Sequence, residues 1–140
     1  MNYVFISVVL LLLLDFVYVF AFKNTYIALI GKIQNNRKPK INIISAILSY
    51  VVVIIGFVFV VVPYINLRIR SGTHNKTIHA LKTALISGGL LGFVIYGVFN
   101  TTNVALFEDY SITTAIIDIV WGTFLYFISA FCYVILSTSK

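Results

Sequence analysis

The chain has 140 residues, of which 61% are hydrophobic and 10% charged, with a net charge of +6. A soluble domain carries about 25% charged residues, so this composition excludes an ordinary water-soluble globular protein. The positive balance does not point to nucleic acid either. The Lys and Arg residues sit between apolar runs, where anionic headgroups attract them, and no groove-sized basic and aromatic stripe is present.

Four runs are long and apolar enough to cross a membrane, at residues 4–22, 41–62, 83–103 and 112–136. A span needs about 20 such residues. In lipid only helices and closed barrels satisfy their own backbone groups, and these runs are too long and too continuous for barrel strands. The expected fold is all-α: one integral membrane domain over 1–140, a four-helix bundle with short loops. The protein is expected to be multi-pass, in a membrane that the sequence does not specify.

The first run lacks the basic start and small-residue cleavage site of a secretory signal, so it reads as an uncleaved anchor. Asp15 interrupts it, and Tyr18 follows on the same face. The loop after it holds Lys23, Lys32, Arg37, Lys38 and Lys40. Within it, residues 25–33 are apolar enough for a short helix along the interface, and residues 35–39 read as a turn.

The second run has Ser45, Ser49 and Tyr50 in its early turns and a Val- and Ile-rich core with Gly56; Pro63 marks its exit. The following loop contains His74 and His79, whose spacing of five does not align them on a helix face. No metal site is expected. The third run carries Ala84, Gly88 and Gly92 at intervals of four, a pattern that lets helices approach closely. The row continues through Tyr96 to Asn100, with Asn103 just beyond. A short acidic turn, residues 107–110, leads to the fourth run. Asp118 lies near its start, followed by Trp121 and Gly122; Cys132, the single cysteine, excludes an intrachain disulfide.

Alternating spans place the end of the first, the start of the second, the end of the third and the start of the fourth at one membrane face. At a 1.5 Å rise per residue, Asp15 and Asp118 lie about 10 Å inside it. No Lys, Arg or His shares that depth. The expected cluster is Asp15, Tyr18, Tyr50, Tyr96, Asn100, Asn103, Asp118 and Trp121, with the amides, the tyrosine hydroxyls and the indole N–H serving the carboxyls. Ala84, Gly88, Gly92 and Gly122 are the expected packing residues.

Such a cluster is either interhelical glue or a functional pocket, since intramembrane carboxylates mark ion, proton or ligand sites. No phosphate loop, His-rich box, nucleophile elbow or CxxC motif is present, and no cofactor is expected. The preferred role is binding or transport of a small molecule, an ion or a lipid headgroup. The alternatives are a lipid-modifying membrane enzyme with Asp15 and Asp118 as acid and base, and a structural or accessory subunit. The expected partners are membrane lipids, with a second copy or a membrane subunit as further candidates. Five basic residues on each face leave orientation undecided.

The sequence Tyr96-Gly97-x-x-Asn100-x-Thr102-Asn103-x-Ala105, followed by Asp118-Ile119-x-Trp121-Gly122-Thr123, resembles the domain-of-unknown-function family 2177, a group of four-helix membrane proteins. Leu14-Asp15-Phe16-Val17-Tyr18 and Pro63 match softer parts of its pattern. Leu106 sits one place early. The family's usual aspartate is Asn100 here and its span-one tryptophan is Tyr18. The resemblance implies the fold and marks the same cluster, with one carboxylate fewer.

Overall fold

The computed structural model describes residues 2–34, 40, 42–70 and 76–138. The expected turn at 35–39 and His74 lie outside the described residues. Among the described residues there are helices and no strand. Four helices are long and apolar enough to cross a membrane: Asn2–Ala21, Ile43–Ile69, Thr77–Leu106 and Ile112–Thr138. They are called spans one to four.

Span one does not end cleanly. The backbone bonds Phe22 N–H to Tyr18 C=O (2.9 Å) and Tyr26 N–H to Phe22 C=O (3.1 Å) carry it into a connecting helix, Lys23–Ile33. The residues expected to form a short helix therefore do so, as an extension of span one. Leu29 is its buried residue. Span two starts at an N-cap, where the Asn42 side chain accepts the Ser45 N–H at 3.1 Å. Span four starts in the same way, with Ser111 Oγ accepting the Thr114 N–H at 3.2 Å.

Pro63 does not end the second helix, which continues to Arg70. A proline in a helix lacks the N–H that would bond four residues back, and its ring strikes that carbonyl. Here the turn just before it, Phe57–Val61, is π-helical, and the Val62 N–H reaches back five residues to Phe57. The widened turn accommodates the ring, so the helix passes through. The third helix starts at Lys76, earlier than expected, because its polar first turns are helical before they reach the apolar run. It too contains a π turn, Leu85–Gly89.

Span four is the hub, packing on spans one and three and on the second half of span two. The small row of span three faces it. A Cβ at Gly88 would strike the Tyr126 carbonyl, one at Gly92 would strike the Gly122 carbonyl, and one at Gly122 would strike the Tyr96 ring. Ala84 is fully buried. All four expected packing residues thus lie where spans three and four approach, and that face is already occupied within the chain. The remaining core joins Leu11 of span one, Leu125 and Tyr126 of span four, and Phe57, Val61 and Ile65 of span two.

Span two is packed along only part of its length. From Val53 onwards it is tied to span four: the Tyr126 hydroxyl donates to the Val53 carbonyl at 3.3 Å, and the Tyr133 hydroxyl to Asn66 Oδ1 at 2.9 Å. Its first helical segment, Ile43–Gly56, buries no residue.

Candidate functional site

Asp118 sits one and a half turns into span four and is 6% exposed. Both its oxygens are used. Oδ2 accepts from Asn100 Nδ2 at 2.7 Å, and Oδ1 accepts from the Tyr26 hydroxyl at 2.7 Å. The Tyr18 hydroxyl lies 3.2 Å from that of Tyr26. A hydroxyl has one proton. With Tyr26's proton on Asp118, Tyr18 can donate to the Tyr26 oxygen, so the two rings form a short relay ending on the carboxylate.

Asn100 has no exposed surface and is saturated. Its Nδ2 also donates to the Tyr96 carbonyl at 2.9 Å, and its Oδ1 accepts from the Tyr110 hydroxyl at 3.0 Å. Two acceptors on one side and a hydroxyl donor on the other leave the amide a single orientation. Asn103 does not reach a carboxylate; its side chain hydrogen-bonds Tyr110.

Asp15 faces spans two and three. Its Oδ1 accepts from the Tyr96 hydroxyl at 3.1 Å, and the Tyr50 hydroxyl lies near it. Asp118 is near enough to act on it electrostatically. Asp15 is half-buried, unlike Asp118. The structure therefore brings together Asp15, Tyr18, Tyr50, Tyr96, Asn100 and Asp118, drawn from all four spans.

Trp121 departs from expectation. Its indole lies flat on Tyr18, with ring centroids 4.7 Å apart and planes 9° from parallel. The buried Nε1 has no hydrogen-bond partner, so the indole orients Tyr18 by stacking and donates to neither carboxyl. On the outer side, Tyr18, Phe22, Val120, Trp121 and Phe124 help line an apolar groove of about 440 Å³. Ser45 and Ser49, expected at the same depth, stay outside the network. Ser49 bonds its own helix at the Ala46 carbonyl.

Two members were missed from sequence. Tyr26 comes from the connecting helix, expected only to lie along the interface, and Tyr110 from the acidic turn, expected only as loop. A signal for Tyr26 existed: Tyr18, Phe22 and Tyr26 repeat at four, the spacing of one helix face, and Tyr18 meets the Phe22 ring at a tilt and the Tyr26 ring edge-on. Nothing comparable marked Tyr110. Burial raises the phenol of Tyr26 far above its ordinary value, reinforced by Tyr18 and Asp118. Burial raises Tyr110 as well. Both remain neutral donors at physiological pH.

A family model described as "Predicted membrane protein (DUF2177)" matches residues 1–135. The chain belongs to this family. It is a multi-pass integral membrane protein whose family has no established function, and the resemblance read from the Asn100 and Asp118 motifs is confirmed. No curated protein and no solved structure matches the chain.

Proposed function

We propose that this membrane protein binds a small cation, or the cationic group of a small ligand, at Asp15 and Asp118. One observation carries the reading: the hydrogen-bond partners of both carboxyls are neutral. Asp118 is held by Asn100, Tyr26 and Tyr18, and Asp15 by Tyr96, with Tyr50 near it. An aspartate at the centre of a membrane helix costs about 2.5–3.5 kcal/mol to insert. An interhelical hydrogen bond in lipid contributes about 0.6 kcal/mol on average. A handful of such bonds offsets only part of that cost for two carboxyls, and a bound cation would supply the remainder.

The test is thermal unfolding of the protein in lipid nanodiscs with sodium, potassium, ammonium and tetramethylammonium chlorides at equal ionic strength. At least one cation is expected to raise the wild-type Tm, and Asp15→Asn and Asp118→Asn are each expected to abolish that rise while still folding. A wild-type Tm indifferent to all four, or a rise that survives in both variants, sinks the reading.

A further inference from the structure

The site is bounded by packed elements on three sides and by a loosely packed one on the fourth. Tyr26 and Tyr110 cover it at the loop end, and spans three and four wall it through Tyr96, Asn100 and Asp118. The remaining wall is the first segment of span two, Ile43–Gly56. That segment buries none of its residues, and only its last turn, from Val53, is tied to span four. Ile43, Ile44, Ile47, Leu48 and Val52 are each more than half exposed. Its polar reach towards the site is Tyr50, whose hydroxyl lies near Asp15.

The boundary between the loose and the packed half is sharp. Val53 receives the Tyr126 hydroxyl bond, and Phe57 and Val61 are fully buried. At that boundary stand Gly56 and the π turn Phe57–Val61. A π turn interrupts the regular bond ladder of a helix and is a common place for it to bend. A Cβ at Gly56 would meet only ordinary contacts, the nearest at 3.6 Å, so the glycine is not there to permit close approach.

We propose that Ile43–Gly56 is a lateral gate hinged at Gly56 and the π turn, and that it admits the amine headgroup of a membrane lipid to Asp15. The inference rests on the reading that the carboxyl pair takes a cation. It adds the source of that cation. A gate that opens between spans one and two opens into the bilayer, not into water. A ligand entering there has a headgroup that crosses to Asp15 and chains that stay against the exposed isoleucines. Of the common headgroups, those ending in an amine complement a half-buried carboxylate served only by hydroxyls.

The probe is a nanodisc of equal parts phosphatidylethanolamine and phosphatidylglycerol, followed by native mass spectrometry of the lipid that stays bound. Wild-type protein is expected to retain phosphatidylethanolamine about tenfold over phosphatidylglycerol, equivalent to about 1.4 kcal/mol, and Asp15→Asn is expected to lose the preference. In a Cys132→Ser background, spin labels at Phe16→Cys and Ile47→Cys are expected to report a distance that shifts when phosphatidylethanolamine replaces phosphatidylglycerol. Equal retention of the two lipids by wild type, or an unchanged preference in Asp15→Asn, overturns the proposal. So does a distance that does not respond to lipid, or a stable dimer cross-linked through Ile47→Cys. If tetramethylammonium raises the wild-type Tm while the lipids are retained equally, the cation site stands and the lateral gate falls. If neither occurs, both fall.

Discussion

Asn100 donates to Asp118 across 2.7 Å, joining the end of span three to the start of span four. The bond needs a donor on one side and an acceptor on the other. As an amide, Asn100 supplies that donor, where an ionised aspartate would supply only a second acceptor. The consequence is rigidity: Asn100 is also held by the Tyr96 carbonyl and the Tyr110 hydroxyl.

Asn100→Asp and Asn100→Leu both remove the amide donor to Asp118, and leaving a buried acceptor unsatisfied costs about 1–3 kcal/mol. Both variants are expected to melt clearly below wild type in circular-dichroism melts in detergent at pH 7. A melt of either at the wild-type temperature would show that this donor does not hold spans three and four together.

The glycines of span three divide by what lies opposite them. Gly92→Ala and Gly88→Ala push a methyl into the backbone of span four. Overpacking of that kind costs about 1–3 kcal/mol. Gly97→Ala meets nothing within 4 Å, and replacing a helical glycine by alanine gains up to about 1 kcal/mol. The expected order of Tm is Gly97→Ala at or above wild type, with Gly88→Ala and Gly92→Ala clearly below. Equal melting of all three would mean that spans three and four are not in backbone contact.

These contrasts show what the amino-acid pattern could reveal. The four spans were legible because lipid imposes length and apolarity on any crossing helix. The small row was legible because close approach requires missing side chains at intervals of four. Asp15, Asn100 and Asp118 stood out because polar groups are rare at that depth. Tyr26 and Tyr110 did not, since tyrosine is ordinary near an interface and hydropathy places both segments outside the four spans. Pro63 misled for a related reason: a proline signals a break only where the preceding turn is a regular α-turn. Trp121 was placed correctly, but its role was not legible. Composition shows an indole N–H, not that stacking on Tyr18 takes precedence over donating it.

Tyr26 carries the last prediction, on alkaline stability. Its phenol is raised above the ordinary value of 10.0 by burial first, then by its contacts with Tyr18 and Asp118. A group whose pKa is higher folded than unfolded holds its proton more tightly in the native state. The stability it contributes is complete below the unfolded value and declines as pH rises above about 10 towards the folded one. The fold should therefore loosen from about pH 10 upward, since deprotonating Tyr26 would place a phenolate against a carboxylate. Tyr26→Phe removes the titrating group together with a 2.7 Å bond. It is expected to melt lower than wild type at pH 7, by the roughly 1–3 kcal/mol of a buried acceptor left unsatisfied, and to lose less further stability between pH 9.5 and 11. The difference in slope separates titration at this site from general base denaturation. Parallel decline of the two proteins over that interval would show that Tyr26 does not control it.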